Sequence, residues 1–174
     1  MSALPSLEQR AEALLGAASD APACVLADVE SFIRRFCALP SEADYVALTL
    51  WAAHAHMVPH FHTTPRLALL SPEPGSGKTR VLEVLELLTP NTLFAFSASV
   101  PAIFRTLASK QTTLLFDEVD TVFGKRGKDD QNEDLRALLN AGYRRGARIP
   151  RCVGAQHEVR QFDVFAAVAL AGLG

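Results

Sequence analysis

Residues 67–79 have the sequence LALLSPEPGSGKT, and this stretch decides the fold. Its first four residues form a short apolar run that is typical of a buried strand. A turn rich in proline and glycine follows, and a helix is predicted from Lys78 to about Leu88. Further apolar runs, which alternate with helical patterns, lie at Leu93–Phe96, Thr113–Phe116 and Val164–Leu170. The sequence therefore predicts an α/β fold in which helices cover a parallel sheet.

The segment Gly75–Thr79 (GSGKT) has the composition of a phosphate-binding loop. Glycines let several backbone N–H groups surround one anion, and the start of the following helix adds partial positive charge. Lys78 is expected to reach the β- and γ-phosphates of a nucleotide, and the Thr79 hydroxyl to ligate Mg²⁺. The predicted nucleotide-binding residues are Pro74, Gly75, Ser76, Gly77, Lys78, Thr79 and Arg80. The alternative is a flexible turn with a surface lysine.

One residue of this loop departs from the full phosphate-loop pattern. Pro72 stands where that pattern has its first glycine, five positions before Gly77. Proline fixes φ and lacks an N–H group. We therefore expect an altered start of the loop with phosphate binding retained.

The second motif is LLFDEVD at residues 114–120, an apolar strand that ends in two carboxylates. This is the Walker B pattern, in which Asp117 holds Mg²⁺ through water and Glu118 polarises the attacking water. Glu118 and Lys78 are thus the predicted catalytic residues, and Thr79 and Asp117 the predicted metal ligands. The 39 positions between Lys78 and Asp117 predict an inserted strand. Asp120 is interpreted as a turn former or helix cap, with a third metal ligand as the alternative.

With both motifs present, the chain resembles an AAA+-type P-loop ATPase. More narrowly, Leu70–Thr79, Thr113–Asp120 and Ala169–Gly174 resemble a bacterial and phage domain family of unknown function, found in helicase- or primase-like replication proteins. The resemblance runs from about Trp51 to Gly174. It implies a three-layer αβα sandwich of the ASCE/AAA+-like P-loop NTPase class, with ATP and Mg²⁺ as cofactors. It also implies homo-oligomers of a full-length form.

Two departures from the AAA+ pattern concern the end of the sequence. No polar sensor residue lies within Val164–Gly174, and no fifth strand, arginine finger or helical lid follows. We expect a C-terminal lid to be absent and the chain to be either a fragment or a short form. Weak ATPase activity of these residues alone is the resulting expectation.

The first 62 residues have helical patterns and are predicted to be a helical segment ahead of a P-loop core at residues 63–174. The helices are expected to begin at Ser6, Ala23 and Ser41, the first and third with capping patterns. The second ends near Cys37 and the third near Met57. Trp51 and Tyr45 are interpreted as core residues. Their alternative role is an adenine-stacking surface, because the segment before strand one commonly lines the base pocket in these ATPases.

Eight of the 17 basic residues lie between Lys125 and Arg151. The predicted nucleic-acid contacts are Arg144, Arg145, Arg148 and Arg151, for single- or double-stranded DNA. A β-hairpin is predicted between Arg151 and Arg160. The alternatives are a neighbouring subunit's nucleotide or a solvated charged face. Tyr143 is the one aromatic side chain among these arginines, which weakens the nucleic-acid interpretation.

Four histidines lie within nine residues, at 54, 56, 60 and 62. His54 and His56 are two positions apart on a predicted helix and so point to different faces. Pro59 then ends the helix before His60. We expect packing or helix capping in preference to a metal site, since no cysteine or acidic cluster lies beside them.

Composition limits the class of protein and its location. The chain has 174 residues, 49% of them apolar and 21% charged, with a net charge of −2. These values exclude a disordered chain and a globally basic coat for nucleic acid. Three cysteines without paired spacing, and a start that is no signal peptide, predict a cytoplasmic protein. The longest apolar stretch has 11 residues and is too short to cross a membrane, so no membrane partner is expected.

The leading functional prediction is an ATP-binding ATPase module of a DNA-acting, helicase-like or replication motor. The alternative is a nucleotide-binding switch that hydrolyses little ATP and acts through protein partners. A third class, a small-molecule kinase, is disfavoured by Glu118, because a kinase substrate is its own nucleophile and needs no glutamate to polarise water.

Overall fold

The computed structural model describes residues 25–95, 98–117, 119, 130–154 and 158–173. The chain forms two compact units, Met1–Leu50 and Trp51–Gly174. The predicted helix that starts at Ser6 lies outside the described residues. Helix α2 (Glu42–Met57) passes through the division between the units. The boundary after residue 62 therefore stays a prediction.

The first unit contains helix α1 at residues 25–36 and the start of α2. The predicted cap of α2 is confirmed, because the Asp44 carboxylate accepts hydrogen bonds from the backbone N–H and the hydroxyl of Ser41, at 2.9 and 2.8 Å. Arg34 joins the two helices through ion pairs with Glu30 (2.7 Å) and Glu42 (2.5 Å). The guanidinium group also holds the pKa of the Glu42 carboxyl below its usual range, through hydrogen bonding and charge.

The second unit begins with the last turns of α2 and a 3₁₀ helix at Val58–His60. Strands and helices then alternate. They are β1 (Arg66–Ser71), α3 (Lys78–Leu88), β2 (Thr92–Phe94), α4 (Val100–Ser109), β3 (Thr113–Phe116), α5 (Asp130–Ala141), β4 (Arg148–Val153), β5 (Glu158–Asp163) and β6 (Ala167–Leu173). Within the described residues no helix combines the length and the apolar character needed to cross a membrane.

Four of the strands form one parallel sheet in the order β1-β6-β3-β2. The parallel α/β sheet predicted from the sequence is therefore confirmed. Strand β6 pairs with β1 on one side, Arg66 opposite Val168, and with β3 on the other, Phe116 opposite Leu170. One strand, β6, thus lies between the two strands that carry the motifs. It follows both motifs in the chain, whereas the strand within the 39 positions from Lys78 to Asp117 is β2, on the far side of β3.

Strand β3 and most of β6 are buried on both faces, as expected for a parallel sheet, whereas Ala68 and Leu70 of β1 are exposed. On one face, α4, α5 and the β4–β5 hairpin contribute to a single cluster against β3 and β6, which includes Phe104, Leu138 and Phe162. Leu114 belongs to that cluster. Its neighbour Leu115, which points to the opposite face, is also fully buried. This burial on both sides fixes the position of the strand ends.

Several element boundaries differ from the predictions, and β2 ends at Phe94, two residues before the predicted end. Strand β6 begins at Ala167, three residues after the predicted start. The reason is that the N–H groups of Val164 and Ala166 donate to the carbonyls of Ala147 and Gly142, which lie outside the sheet. Helix α5 begins four residues before the predicted Asp134. The predicted hairpin is confirmed and is longer than expected, six residues in each strand.

Arg66 begins β1 and joins three parts of the second unit. Its Nη1 donates to the carbonyl of Ala166 at 2.6 Å, and its Nη2 donates to the carbonyl of Leu139 at 3.0 Å. Burial lowers the pKa of this guanidinium to about 10, which leaves it charged at neutral pH. Arg66 therefore links the start of β1 to the end of α5 and to the approach to β6.

The packing of the end of α5 against the approach to β6 depends on the absence of a side chain at Gly142. A Cβ there would lie 2.4 Å from the Val164 carbonyl oxygen and 2.8 Å from that of Leu138. Both contacts are with backbone, which cannot move aside cheaply. We expect Gly142→Ala to lower the free energy of unfolding by about 3 kcal/mol, measured as a shift of the urea midpoint.

The control for this substitution is Gly146→Ala. A methyl group there meets nothing within 4 Å, and only the positive φ of +80° opposes it. That backbone conformation costs an ordinary residue about 1 kcal/mol. A loss at Gly142 no larger than the loss at Gly146 would contradict the steric argument.

Candidate functional site

The two sequence motifs meet at one edge of the sheet. Strand β1 ends at Ser71 and β3 ends at Phe116, and the strands run in the same direction with β6 between them. The carboxyl ends of parallel strands therefore bring the loop at residues 72–77 and the side chain of Asp117 to the same edge. This is the position at which open α/β sheets bind ligands.

The loop has the backbone geometry that an anion requires. Gly75 and Gly77 have φ values of +74° and +86°, and a Cβ at either position would meet nothing within 4 Å. Gly77 is also the N-cap of α3. The backbone N–H groups of Gly75, Ser76 and Gly77 donate to none of the described residues. Such a set of unpaired donors at a helix N-terminus is suited to phosphate.

Lys78 places a positive charge over this loop. Its Nζ donates to the carbonyl oxygen of Glu73 and to Oγ of Ser76, both at 3.0 Å. The lysine therefore turns back from the first position of α3 toward the loop that precedes it. An ammonium group in this position can exchange those two acceptors for phosphate oxygens without a change of backbone.

Thr79 and Asp117 are brought into direct contact. The Thr79 hydroxyl donates to Oδ2 of Asp117 at 2.7 Å, between residues 38 positions apart. A hydroxyl and a carboxylate are hard oxygen ligands of the kind that Mg²⁺ takes in phosphate-transfer sites. The residues predicted as metal ligands thus fit that ion in type and lie within hydrogen-bond distance of each other.

The remaining predicted residues of the phosphate site have other positions. Pro74 lies exposed in the loop. Arg80 forms an exposed ion pair with Glu83, one turn further along α3, at 2.8 Å. Glu118 lies outside the described residues, as does Asp120. The structure therefore brings together Ser76, Lys78, Thr79 and Asp117.

The arginines predicted to contact nucleic acid follow α5. Arg145 is engaged within the chain, where Nε donates to the Phe61 carbonyl at 2.8 Å and Nη2 donates to the carbonyls of Val58 and Pro59. Arg144 and Arg148 are exposed.

Arg151 is also engaged. It forms an ion pair with Asp134 at 2.7 Å, and its guanidinium carbon lies 5.0 Å from the centre of the Phe104 ring. Two of the four predicted arginines thus have intramolecular partners that the sequence did not indicate.

Phe165 is a residue that the sequence analysis missed. Its ring centre lies 5.6 Å from the Arg145 guanidinium carbon, although the two residues are 20 positions apart. Within the sequence it belongs to the apolar run assigned to a strand, so no local signal separates it from core residues. The structure therefore adds an aromatic ring to the arginine segment.

The histidines take part in packing and capping. His54 Nε2 lies 2.9 Å from the Thr64 hydroxyl and its ring packs against Phe61. Burial lowers the pKa of His54. His56 Nε2 donates to the last carbonyl of α3, that of Leu88, at 2.9 Å. In the described parts of the chain, no three side chains of the metal-ligating types come together.

The two aromatic residues interpreted as core have polar partners on the backbone. Trp51 is buried and its indole N–H donates to the Pro65 carbonyl at 3.2 Å. The Tyr45 hydroxyl donates to the Cys37 carbonyl at 3.2 Å and accepts from the Leu39 N–H at 3.0 Å. Trp51 is therefore a core residue as predicted, with the partner expected of its polar end. Tyr45 is only partly buried, and the Arg34 guanidinium carbon lies 4.1 Å from its ring centre.

No protein-family model matches the chain, and no curated protein is significantly similar to it. The geometry of the site is therefore what indicates a function.

Proposed function

We propose that this chain is an ATP-binding P-loop ATPase module that works as part of a DNA-acting motor. The observation that supports it best is the 2.7 Å hydrogen bond between Thr79 and Asp117 across β6, beside a glycine loop that carries Lys78. A strand between the two motif strands is an arrangement typical of ATPases with a catalytic glutamate. The proposed class is an AAA+-like P-loop NTPase, with three layers.

Each residue of the site has a role in this proposal. The N–H groups of Gly75–Lys78 bind the phosphate oxygens, and Lys78 adds a positive charge to the β- and γ-phosphates. Thr79 and Asp117 hold Mg²⁺, which supplies charge neutralisation to the phosphates when bound. Glu118 accepts a proton from the attacking water. The positive charge of Lys78 stabilises the negative charge that develops during transfer of the γ-phosphate.

This division of roles predicts different losses for the two acidic residues. Glu118→Gln will retain Mg-ATP binding and lose turnover by about a hundredfold or more, because an amide cannot accept a proton from water. Asp117→Asn will weaken the dependence of ATP binding on Mg²⁺, since it removes a charged oxygen ligand. Calorimetric titration with and without Mg²⁺, together with phosphate release, measures both effects. Hydrolysis by Glu118→Gln at the starting rate would exclude Glu118 as the base.

The nucleotide-binding switch is the second candidate function. It is favoured by the ion pair of Arg151 with Asp134, which offsets one of the positive charges predicted to meet a DNA backbone. A switch and a motor differ in one measurement, the rate of ATP turnover with and without single-stranded DNA. An increase supports the motor, and an unchanged rate supports the switch.

A further inference from the structure

A second polar pocket lies at the opposite edge of the sheet from the phosphate loop. It has a volume of about 390 Å³. Its walls include Pro59, Lys110, Gln111, Arg145, Asp163 and Phe165. Lys110 and Gln111 precede β3, and Phe165 precedes β6, so the pocket is at the amino-terminal edge. None of these residues belongs to the proposed ATP site.

Two cationic side chains line this pocket, those of Lys110 and Arg145. Among the described residues, no acceptor is bonded to Nζ of Lys110 or to Nη1 of Arg145. Nε2 of Gln111 also lacks a partner, but protein atoms enclose it, so it is not available to a ligand. A ligand with several acceptor oxygens could therefore bind to the lysine and the arginine.

Arg145 is held rigidly for such a role. Its Nε and Nη2 donate to three carbonyls of the 3₁₀ helix region, which leaves Nη1 with its two N–H groups. Because the guanidinium is planar, these bonds also fix the direction of Nη1. The contacts of Arg145 within the chain therefore orient the two N–H groups of Nη1. A ligand that binds them does not have to restrict the side chain further.

The charge of the pocket favours an anion. Lys110 and Arg145 contribute two positive charges, and Asp163 contributes one negative charge. Phosphate is an anion whose oxygens match a lysine and an arginine at once. A phosphodiester group would therefore be attracted to the side of the pocket that Lys110 and Arg145 form.

Phe165 adds a surface of a different kind. Its ring is partly exposed, and the Arg145 guanidinium carbon lies over it, 5.6 Å from the ring centre. An aromatic ring next to a basic group is the combination on which unpaired bases stack in single-strand binding proteins. A base within a duplex is already stacked on its neighbours and cannot contact the ring in this way.

We propose that this pocket binds one nucleotide unit of a single strand of nucleic acid, with the phosphate on Lys110 and Arg145 and the base on Phe165. The proposal rests on the DNA-acting function proposed above and deepens it by naming the polymer and the contact residues. It places the polymer at the sheet edge opposite the ATP site.

Asp163 provides an internal test of the assignment. Its Oδ1 accepts a hydrogen bond from the backbone N–H of Phe165 at 3.1 Å, so it helps to hold the ring in place. Its charge, however, repels a phosphate in the same pocket. In Asp163→Asn an oxygen acceptor remains while the charge is lost, and we expect this substitution to tighten binding several-fold.

The experiment titrates the full chain into a labelled single strand of fifteen thymidine nucleotides at low salt and measures fluorescence anisotropy. We expect Lys110→Gln to weaken binding about tenfold and to reduce the slope of log affinity against log salt by about 0.7, the value for one phosphate of a single strand. Phe165→Leu is expected to weaken binding about tenfold through the loss of stacking. Circular dichroism checks that each variant is folded.

Arg105→Gln is the matched control, because Arg105 is an exposed cation on α4 outside this pocket. We expect it to leave the affinity for the strand unchanged. Equal losses in Lys110→Gln and Arg105→Gln would overturn the proposal, and so would a duplex that binds as tightly as the single strand. Lys110 is exposed, so its variant decides the matter even where Phe165→Leu fails to fold.

A separate titration with Mg-ATP distinguishes the two proposals. A chain that binds Mg-ATP and shows no pocket-dependent affinity for the strand overturns this inference alone. A chain that does not bind Mg-ATP overturns the proposed ATPase function, whatever its affinity for the strand.

Discussion

Lys78→Ala will weaken Mg-ATP binding by about 2–3 kcal/mol, which is roughly 30- to 150-fold in Kd. The ammonium group lies over the loop through its bonds to Glu73 and Ser76, both at 3.0 Å. Its removal deprives the phosphates of a charged hydrogen-bond donor and leaves the backbone N–H groups of the loop intact. Calorimetric titration of the full chain with Mg-ATP measures the change.

The control for Lys78→Ala is Arg105→Ala, which removes the same charge from an exposed position on α4. It is expected to bind Mg-ATP as the unchanged protein does. An equal affinity of Lys78→Ala and the unchanged protein would refute the assignment of the loop as a phosphate site.

Arg66→Met will lower the free energy of unfolding by about 2–4 kcal/mol. Methionine fills much of the same space and removes both hydrogen bonds, so the carbonyls of Ala166 and Leu139 lose their donor. Each buried acceptor left without a partner costs about 1–3 kcal/mol. The cost of burying the guanidinium, seen in its lowered pKa of about 10, offsets part of that loss. The urea midpoint of the full chain measures the effect.

Arg66→Lys is the informative comparison for this position. The lysine side chain keeps the positive charge, but its ammonium group lacks the planar fork with which arginine reaches two carbonyls at once. We therefore expect Arg66→Lys to recover only part of the stability that Arg66→Met loses. A midpoint for Arg66→Met that equals that of the unchanged protein would show that the two bonds contribute nothing.

Features that depend on residues close in sequence could be predicted. The cap of α2 depends on Ser41 and Asp44, three positions apart, and is confirmed at 2.9 Å. Strands β1 and β3 follow from short apolar runs. For β3 the reason is that a strand covered on both faces has no polar positions, whereas Ala68 and Leu70 of β1 are exposed. The positions of the glycines in the loop follow from their need for positive φ at residues 75 and 77.

Features that depend on distant partners could not be predicted. Arg145 appears in the sequence as a free cation, yet its acceptors lie on residues 58–61, more than 80 positions earlier. Phe165 has no signal that separates it from the core residues around it. The start of β6 is set by hydrogen bonds from Val164 and Ala166 to carbonyls near the end of α5. The local sequence pattern around each of these residues carries no information about its distant partner.

The place of β6 in the sheet also determines the order in which the molecule can assemble. Its partners are far away along the chain, since Arg66 pairs with Val168 and Thr113 pairs with Ala167. Until β6 is inserted, β1 has no strand to join it to β3, and closing such long loops is slow. During synthesis, Thr79 and Asp117 leave the ribosome well before residues 167–173. The nucleotide site therefore acquires its geometry only after the strand between its two halves has been made.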